Sequence, residues 1–236
     1  MTPTLPSNAA LLLDLDGTLI DLAPTPDAVI VPPDLISTLH RLRALLGNAL
    51  AVVTGRPLAQ VDLLLGDAPY AVAGEHGAAI RHAPGLPIQR ADLPLPSPDW
   101  LTRASALIAA HPGTLLEPKA SGLVLHYRQA PDKASHLRQA AETFAAERPG
   151  FKVLAAKMAW EIKPATVDKG IAVTTLMAHP PFLNRTPIYI GDDVTDEDGI
   201  HAATTLGGTG WRLPTTFPTP TALRHWLASV RPGGMA

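Results

Sequence analysis

Two short apolar runs, far apart in the chain, each end in a cluster of carboxylates, and this repeated device constrains the fold most. Residues Ala9–Leu13 read as a buried β-strand that runs directly into Asp14-Leu15-Asp16-Gly17-Thr18. In extended chain, side chains two apart point the same way, so Asp14 and Asp16 leave the strand as neighbouring carboxylates. Gly17 permits a sharp departure and Thr18 adds a hydroxyl. Far downstream, Ile188-Tyr189-Ile190 runs into Gly191-Asp192-Asp193-Val194-Thr195-Asp196. Two acidic clusters at the exits of buried strands are what an oxygen-liganded Mg²⁺ and a phosphoryl transfer require.

Between them the chain alternates strands and helices. A helical pattern starts at Pro32-Pro33-Asp34, runs through Leu35, Leu39, Leu42 and Leu45, and stops at Gly47. A second strand, 49–53, leads into Thr54-Gly55-Arg56-Pro57 and a helix over 58–65; a third, 70–73, ends in Gly74-Glu75-His76-Gly77. This rhythm predicts an α/β fold with a Rossmann-like parallel sheet and right-handed crossovers. In such sheets the chemistry sits beyond the carboxyl ends of the strands, where these motifs fall.

The texture then changes. Five prolines lie between Pro84 and Pro98, as at a domain boundary. Ser97-Pro98-Asp99 is expected to cap a helix ending near 110. Strands follow over 114–119 and 123–128, then a helix over 132–148 and strands over 152–155 and 158–163. This αββαββ pattern predicts an inserted α+β cap domain over 94–164, within a core made of 1–93 and 165–236. From Asp168 the first rhythm resumes, with helices over 169–179 and 221–230, a strand over 186–190, and Thr195 expected to cap the helix that follows.

Within the insert, Glu117-Pro118-Lys119 and Glu161-Ile162-Lys163 each place a Glu and a Lys on one face of a strand. His126 and Arg128 share a face, with Leu123, Leu125 and Tyr127 on the other. The pattern is compatible with a solvated face of cross-strand ion pairs or with a polar lid that grips hydroxyls.

Composition removes several alternatives. There are no cysteines, so disulfides, thiolate catalysis and Cys-ligated metals are excluded, and no histidines cluster at zinc-ligand spacing. The formal net charge is −2 without long runs of either sign, which gives no footprint for nucleic acid or anionic membranes. The opening residues lack a basic segment and the first apolar run ends at Asp14, so neither a signal peptide nor a membrane span is expected, which suits a cytoplasmic enzyme. Nothing in the pattern specifies an oligomeric state.

These motifs resemble the haloacid dehalogenase superfamily of phosphatases and, over nearly the whole chain, its trehalose-6-phosphate phosphatases. The marks are Asp14 to Thr18, Thr54-Gly55-Arg56, Gly74-Glu75-His76-Gly77, Glu117-Pro118-Lys119, His126-Tyr127-Arg128, Glu161-Ile162-Lys163, Asp168-Lys169-Gly170 and Gly191 to Asp198. The resemblance implies that Asp14 is the nucleophile and Asp16 the general acid/base. It implies that Thr54 holds a phosphate oxygen and that Lys169 neutralises nucleophile and phosphate. Mg²⁺ is expected on Asp14, Asp192 and the Asp16 carbonyl, with Asp196 supporting the metal site and Asp193 a weaker candidate. Arg56, His76, Glu117, Lys119, Arg128, Glu161 and Lys163 are the implied substrate-binding residues, the cap pairs gripping glucose hydroxyls. Another substrate, such as sucrose phosphate or mannosylglycerate phosphate, and a non-catalytic sugar-phosphate-binding module are the rival readings. One departure stands out: Gly199-Ile200 stands where the family usually has a bulky apolar pair, which puts helix packing there in doubt.

Overall fold

A computed structural model gives the fold and describes residues 3–231. In chain order the elements are β1 (Ala9–Leu13), α1 (Leu35–Leu45), β2 (Leu50–Val53), α2 (Leu58–Leu65), β3 (Ala71–Gly74), β4 (Ala79–Arg81) and β5 (Gln89–Arg90). There follow α3 (Trp100–Ala109), β6 (Leu115–Lys119), β7 (Gly122–His126), α4 (Ala134–Glu147), β8 (Phe151–Ala156) and β9 (Ala159–Pro164). The chain continues with α5 (Lys169–Met177), β10 (Thr186–Gly191), α6 (Asp196–Thr205), β11 (Thr209–Arg212) and α7 (Pro220–Ser229). It divides into two compact units, one running up to Ala91 and again from Val167, the other Asp92–Thr166.

The larger unit is built on a seven-stranded sheet of order β11-β10-β1-β2-β3-β4-β5. The five strands from β11 to β3 are parallel, β4 runs antiparallel to β3, and β5 pairs antiparallel with β4 at that edge. Every residue of β1 and β2 is fully buried, because a central parallel strand is covered on both faces and so reads as an unbroken apolar run. Strands β4, β5 and β11 escape the sequence reading: they span three, two and four residues, and none carries an apolar run of its own. They form because neighbouring strands offer them hydrogen-bonding edges.

The smaller unit is a four-stranded antiparallel sheet of order β6-β7-β9-β8 with α3 and α4. Leu123, Leu125 and Ile162 on one face pack with Trp100, Ala104, Leu137, Ala141 and Phe144 into a separate hydrophobic core. Arg103 fastens the helices together, donating to both Glu147 carboxylate oxygens and lying 4.7 Å over the Phe144 ring.

Helix caps depart from expectation at two places. Asp99 makes no side-chain cap bond; it accepts instead from Ser97 and Arg103, which draw its carboxylate away from the helix N–H groups. Thr195 likewise makes no cap bond, since its backbone is already helical at φ −65° and ψ −19°. Asp168 does cap α5, accepting from the Ile171 N–H at 2.9 Å. Among the described residues, no helix is long and apolar enough to cross a membrane.

Candidate active site

The first two functional carboxylates are placed by strand register. β1 and β10 pair in parallel with Leu13 opposite Ile190, and the Asp14 N–H donates to the Ile190 carbonyl at 2.9 Å. Asp14 and Asp192 therefore leave adjacent strands at the same end of the sheet. Gly17 lets them converge. It adopts φ +84°, and a Cβ there would lie 2.3 Å from Asp192 Oδ2. Thr18 Oγ1 lies 3.1 Å from both Asp14 Oδ2 and Asp192 Oδ1, one hydroxyl proton facing two carboxylates.

Lys169 supplies the cation. An ammonium in the first turn of a helix is electrostatically disfavoured unless an anion answers it. Here two do, Asp14 Oδ1 at 2.7 Å and Asp196 Oδ1 at 2.6 Å, and the lysine side chain is buried between them. Burial opposes the Lys169 charge, yet Asp14 and Asp196 hold its pKa above the ordinary lysine value. The Asp14 carboxyl is pushed well above the usual range, by burial first and then by the charge of Asp196, against the pull of Lys169.

Asp196 is fully buried and saturated. Its Oδ1 accepts from Lys169 Nζ and from the Tyr189 hydroxyl at 2.7 Å; its Oδ2 accepts from the Asp192 and Asp193 N–H groups at 3.0 and 2.9 Å. Four bonds fill the carboxylate's lone-pair sites. Asp196 thus ties the β10–α6 turn to Lys169. Tyr189 stays protonated, since burial and then Asp196 raise its pKa well above the ordinary phenol value.

The donor set suits a hard divalent cation. Carboxylate oxygens of Asp14, Asp192 and Asp196 lie within 4.8 Å of one another, with no softer ligand in the group. Asp14 and Asp196 share the Lys169 ammonium, and Asp192 joins them through the Thr18 hydroxyl. Because the bonds of Asp196 are committed, Asp14 and Asp192 are the carboxylates suited to direct coordination.

The neighbouring loops arrange the other expected residues. Asp16 and Arg56 are bound to each other: Arg56 Nε donates to Asp16 Oδ2 at 2.6 Å and Nη2 to Oδ1 at 2.7 Å, while Nη1 reaches Gln60 at 3.2 Å. Thr54 is buried, and its hydroxyl accepts from the Arg56 N–H at 3.2 Å. Glu75 and His76 take left-handed backbone, φ +53° and +56°, which sets the His76 ring where a Cβ on Gly55 would stand, 2.8 Å from Nε2. Such conformations cost about 1 kcal/mol or more apiece and persist where the surroundings dictate them. Here the Glu75 and His76 N–H groups are fixed by the Arg56 and Thr54 carbonyls.

In the smaller unit, the sheet face opposite its core carries a second polar group. His126 Nε2 lies 2.8 Å from Glu117 Oε2, and Lys119 Nζ donates to Glu161 Oε1 at 3.1 Å. Glu161 and Lys163 are buried on β9, and Arg128 lies half-buried just beyond β7. Burial alone would raise the Glu117 pKa, but His126 and Lys119 pull it below the ordinary value.

Two residues of the site are not evident from the sequence. Tyr189 hides within an apolar strand, its phenol the only polar side-chain atom in Ile188-Tyr189-Ile190. Gly199, a departure in the sequence, has a tertiary reason: a Cβ there would stand 2.6 Å from Cε2 and Cζ of Tyr189. The glycine makes room for that ring and does not leave a packing defect.

Comparison with known proteins follows the same lines. A family model described as trehalose-phosphatase matches residues 12–213. A probable trehalose-phosphate phosphatase of Sinorhizobium fredii is 42% identical over 221 residues, covering 92% of this chain and 82% of that one. The trehalose-6-phosphate phosphatase of Escherichia coli K12 is 36% identical over 220 residues, covering 91% and 80%. The fold matches the C-terminal domain of Candida albicans trehalose-6-phosphate phosphatase with a TM-score of 0.77 at 20% identity, covering 96% of this chain and 97% of that one. From the family model over most of the length and the two bacterial relatives, the chain belongs to the trehalose-phosphatase family.

Proposed function

We propose that this protein is a Mg²⁺-dependent phosphoric monoester hydrolase that converts trehalose 6-phosphate to trehalose and inorganic phosphate in the cytoplasm. The observation that carries the reading is Asp14, a buried carboxylate held by Lys169 within a cluster of three carboxylates. The names of the bacterial relatives support the choice of substrate.

In this reading an Asp14 oxygen attacks phosphorus as the bond from phosphorus to the sugar oxygen breaks, giving an aspartyl-phosphate. Lys169 and the Thr54 hydroxyl stabilise charge on the phosphoryl oxygens. Asp16 gives a proton to the departing sugar oxygen, then takes one from the water that attacks phosphorus and releases phosphate. Both Asp16 oxygens accept from Arg56 in the structure, so Asp16 must leave that pair to act, and Arg56 then becomes available to the substrate's phosphate. Asp14 and Asp192, with the Asp16 main-chain carbonyl, would hold Mg²⁺, which when bound would offset charge on the phosphoryl group. Asp196 supports the site from behind.

The unit Asp92–Thr166 is proposed as a substrate-specificity cap. Its Glu117, Lys119, Glu161 and Lys163 would bind sugar hydroxyls remote from phosphorus, with Arg128 beside them, and His76 of the larger unit would also bind the substrate. The deciding experiment compares phosphate release from trehalose 6-phosphate, glucose 6-phosphate and sucrose 6-phosphate, with and without Mg²⁺. Trehalose 6-phosphate should be preferred and its turnover should require the metal. Preference for sucrose 6-phosphate would reassign the substrate, and no release from any of them would remove the phosphatase reading.

A further inference from the structure

We infer that Tyr189 is a positioning residue for the reaction: through Asp196 it sets how Lys169 is shared between Asp196 and the nucleophile Asp14. The inference rests on the phosphatase reading above, and nothing in the sequence motifs singles this tyrosine out.

The case begins with an apparent waste. Tyr189 lies on central strand β10, paired to Leu12 of β1 and fully buried. A phenylalanine would fill the same space without desolvating a hydroxyl, so the phenol has to be matched by a partner. The partner is Asp196 Oδ1, the same atom that accepts from Lys169. Two donors, one neutral and one cationic, thus divide a single carboxylate oxygen. The other claim on Lys169 is Asp14 Oδ1 at 2.7 Å, nearly the same distance as the 2.6 Å to Asp196. The ammonium is balanced between two anions, and the phenol satisfies part of the pull from one of them.

Gly199 supplies a second, independent observation. Asp196 and Gly199 lie three residues apart on α6 and so face the same way, and the space above Gly199 is filled by the hydroxyl end of the Tyr189 ring. The helix approaches the strand closely enough for the bond only because no Cβ intervenes. Tyr189, Asp196 and Gly199 therefore form one packed unit behind Lys169.

Without the phenol, Asp196 Oδ1 would be answered by Lys169 alone, and the ammonium would shift toward Asp196 and away from Asp14. Lys169 orients Asp14 for in-line attack and meets the equatorial phosphoryl oxygens fully only in the transition state, so the loss should fall on kcat more than on KM. Y189F keeps the ring and its packing. It should lower kcat for trehalose 6-phosphate by about tenfold, the scale of one hydrogen bond to a charged group, with KM changed less than about twofold. Orthovanadate, which adopts the five-coordinate geometry of phosphoryl transfer, should bind the Mg²⁺-loaded variant more weakly by a similar factor when titrated by calorimetry. G199A, which presses on the hydroxyl end of the ring, should reproduce both losses, and G199A/Y189F should lose less than the product of the two because they act through the same group.

A Y189F protein with parental kcat and parental vanadate affinity would overturn the inference. So would a variant that lost thermal stability while its kcat per folded molecule stayed unchanged, since that is a structural role alone. A parent chain that turned over no sugar phosphate would remove the phosphatase reading, and the vanadate titration would still decide whether Tyr189 tunes the oxyanion-binding lysine.

Discussion

The larger unit and the smaller unit each bury charged side chains, but they arrange them differently. Around Asp14, three carboxylates gather within 4.8 Å of one another, and Asp14 carries a raised pKa from burial and from Asp196. On the sheet of the smaller unit each of the two glutamates bonds a basic side chain, Glu117 with His126 and Glu161 with Lys119, and the Glu117 pKa is lowered. Crowded carboxylates favour a bound cation. Glutamates spaced along a sheet face beside basic groups suit neutral hydroxyls. Crowding of like charge, more than residue type, distinguishes the two groups.

The strongest way to break this contrast is Asp14→Asn. Phosphate release should fall by more than about a thousandfold, because the attacking oxygen is lost. Thermal unfolding in chelator should show a stability equal to or above the parent's at neutral pH. A carboxyl whose folded pKa lies above its unfolded value opposes folding once the pH exceeds the unfolded value, and the amide removes that opposition. Near-parental turnover would remove the covalent mechanism, and a large drop in melting temperature would refute the idea of a charge-crowded site.

Metal removal is the next test. Excess chelator should abolish turnover and Mg²⁺ restore it, while Ca²⁺ should inhibit because its looser coordination misplaces the nucleophile. Mg²⁺ should also raise the melting temperature of the parent, and Asp192→Asn should erase most of that rise. Full activity in chelator would leave the three clustered carboxylates without an explanation.

The smaller unit is probed by Glu161→Ala. It should cut kcat/KM for trehalose 6-phosphate by roughly tenfold to a hundredfold, the scale of one charge-assisted hydrogen bond, and leave p-nitrophenyl phosphate hydrolysis nearly unchanged. Equal losses on both would assign Glu161 to the fold or the chemistry. The smallest effect belongs to Glu117. Its lowered pKa contributes stability that is present above the ordinary glutamate value of 4.5 and is lost as pH falls through the folded value. Acid titration of Glu117→Gln against the parent should therefore show the variant losing less stability on acidification, a difference under about 1 kcal/mol.

The regular parts of this fold were legible because their local signals agree with their burial. Helix 58–65 matches α2 at both ends, with Pro57 before it and Gly66 after. The apolar runs over β1 and β2 announce strands covered on both faces. Where a cap signal met another claimant on the same group or backbone, it failed. Asp99 is claimed by Ser97 and Arg103, and Thr195 yields to the turn that Asp196 ties down. Strands β4, β5 and β11 carry no periodicity of their own and exist through their neighbours' edges.

Which chemistry-bearing groups stand at strand ends is written in the residues, because a buried parallel strand must be apolar and the carboxylates begin where the apolar run stops. The placement of Asp14 and Asp192 follows from that alone. How those groups are shared was settled by packing. It bound Asp16 to Arg56, gave all of Asp196 to Lys169, Tyr189 and two backbone N–H groups, and turned Gly199 from a gap in a pattern into the space for a phenol ring. Such sharing depends on distances between residues remote in sequence, and those are fixed only when strands and helices pack.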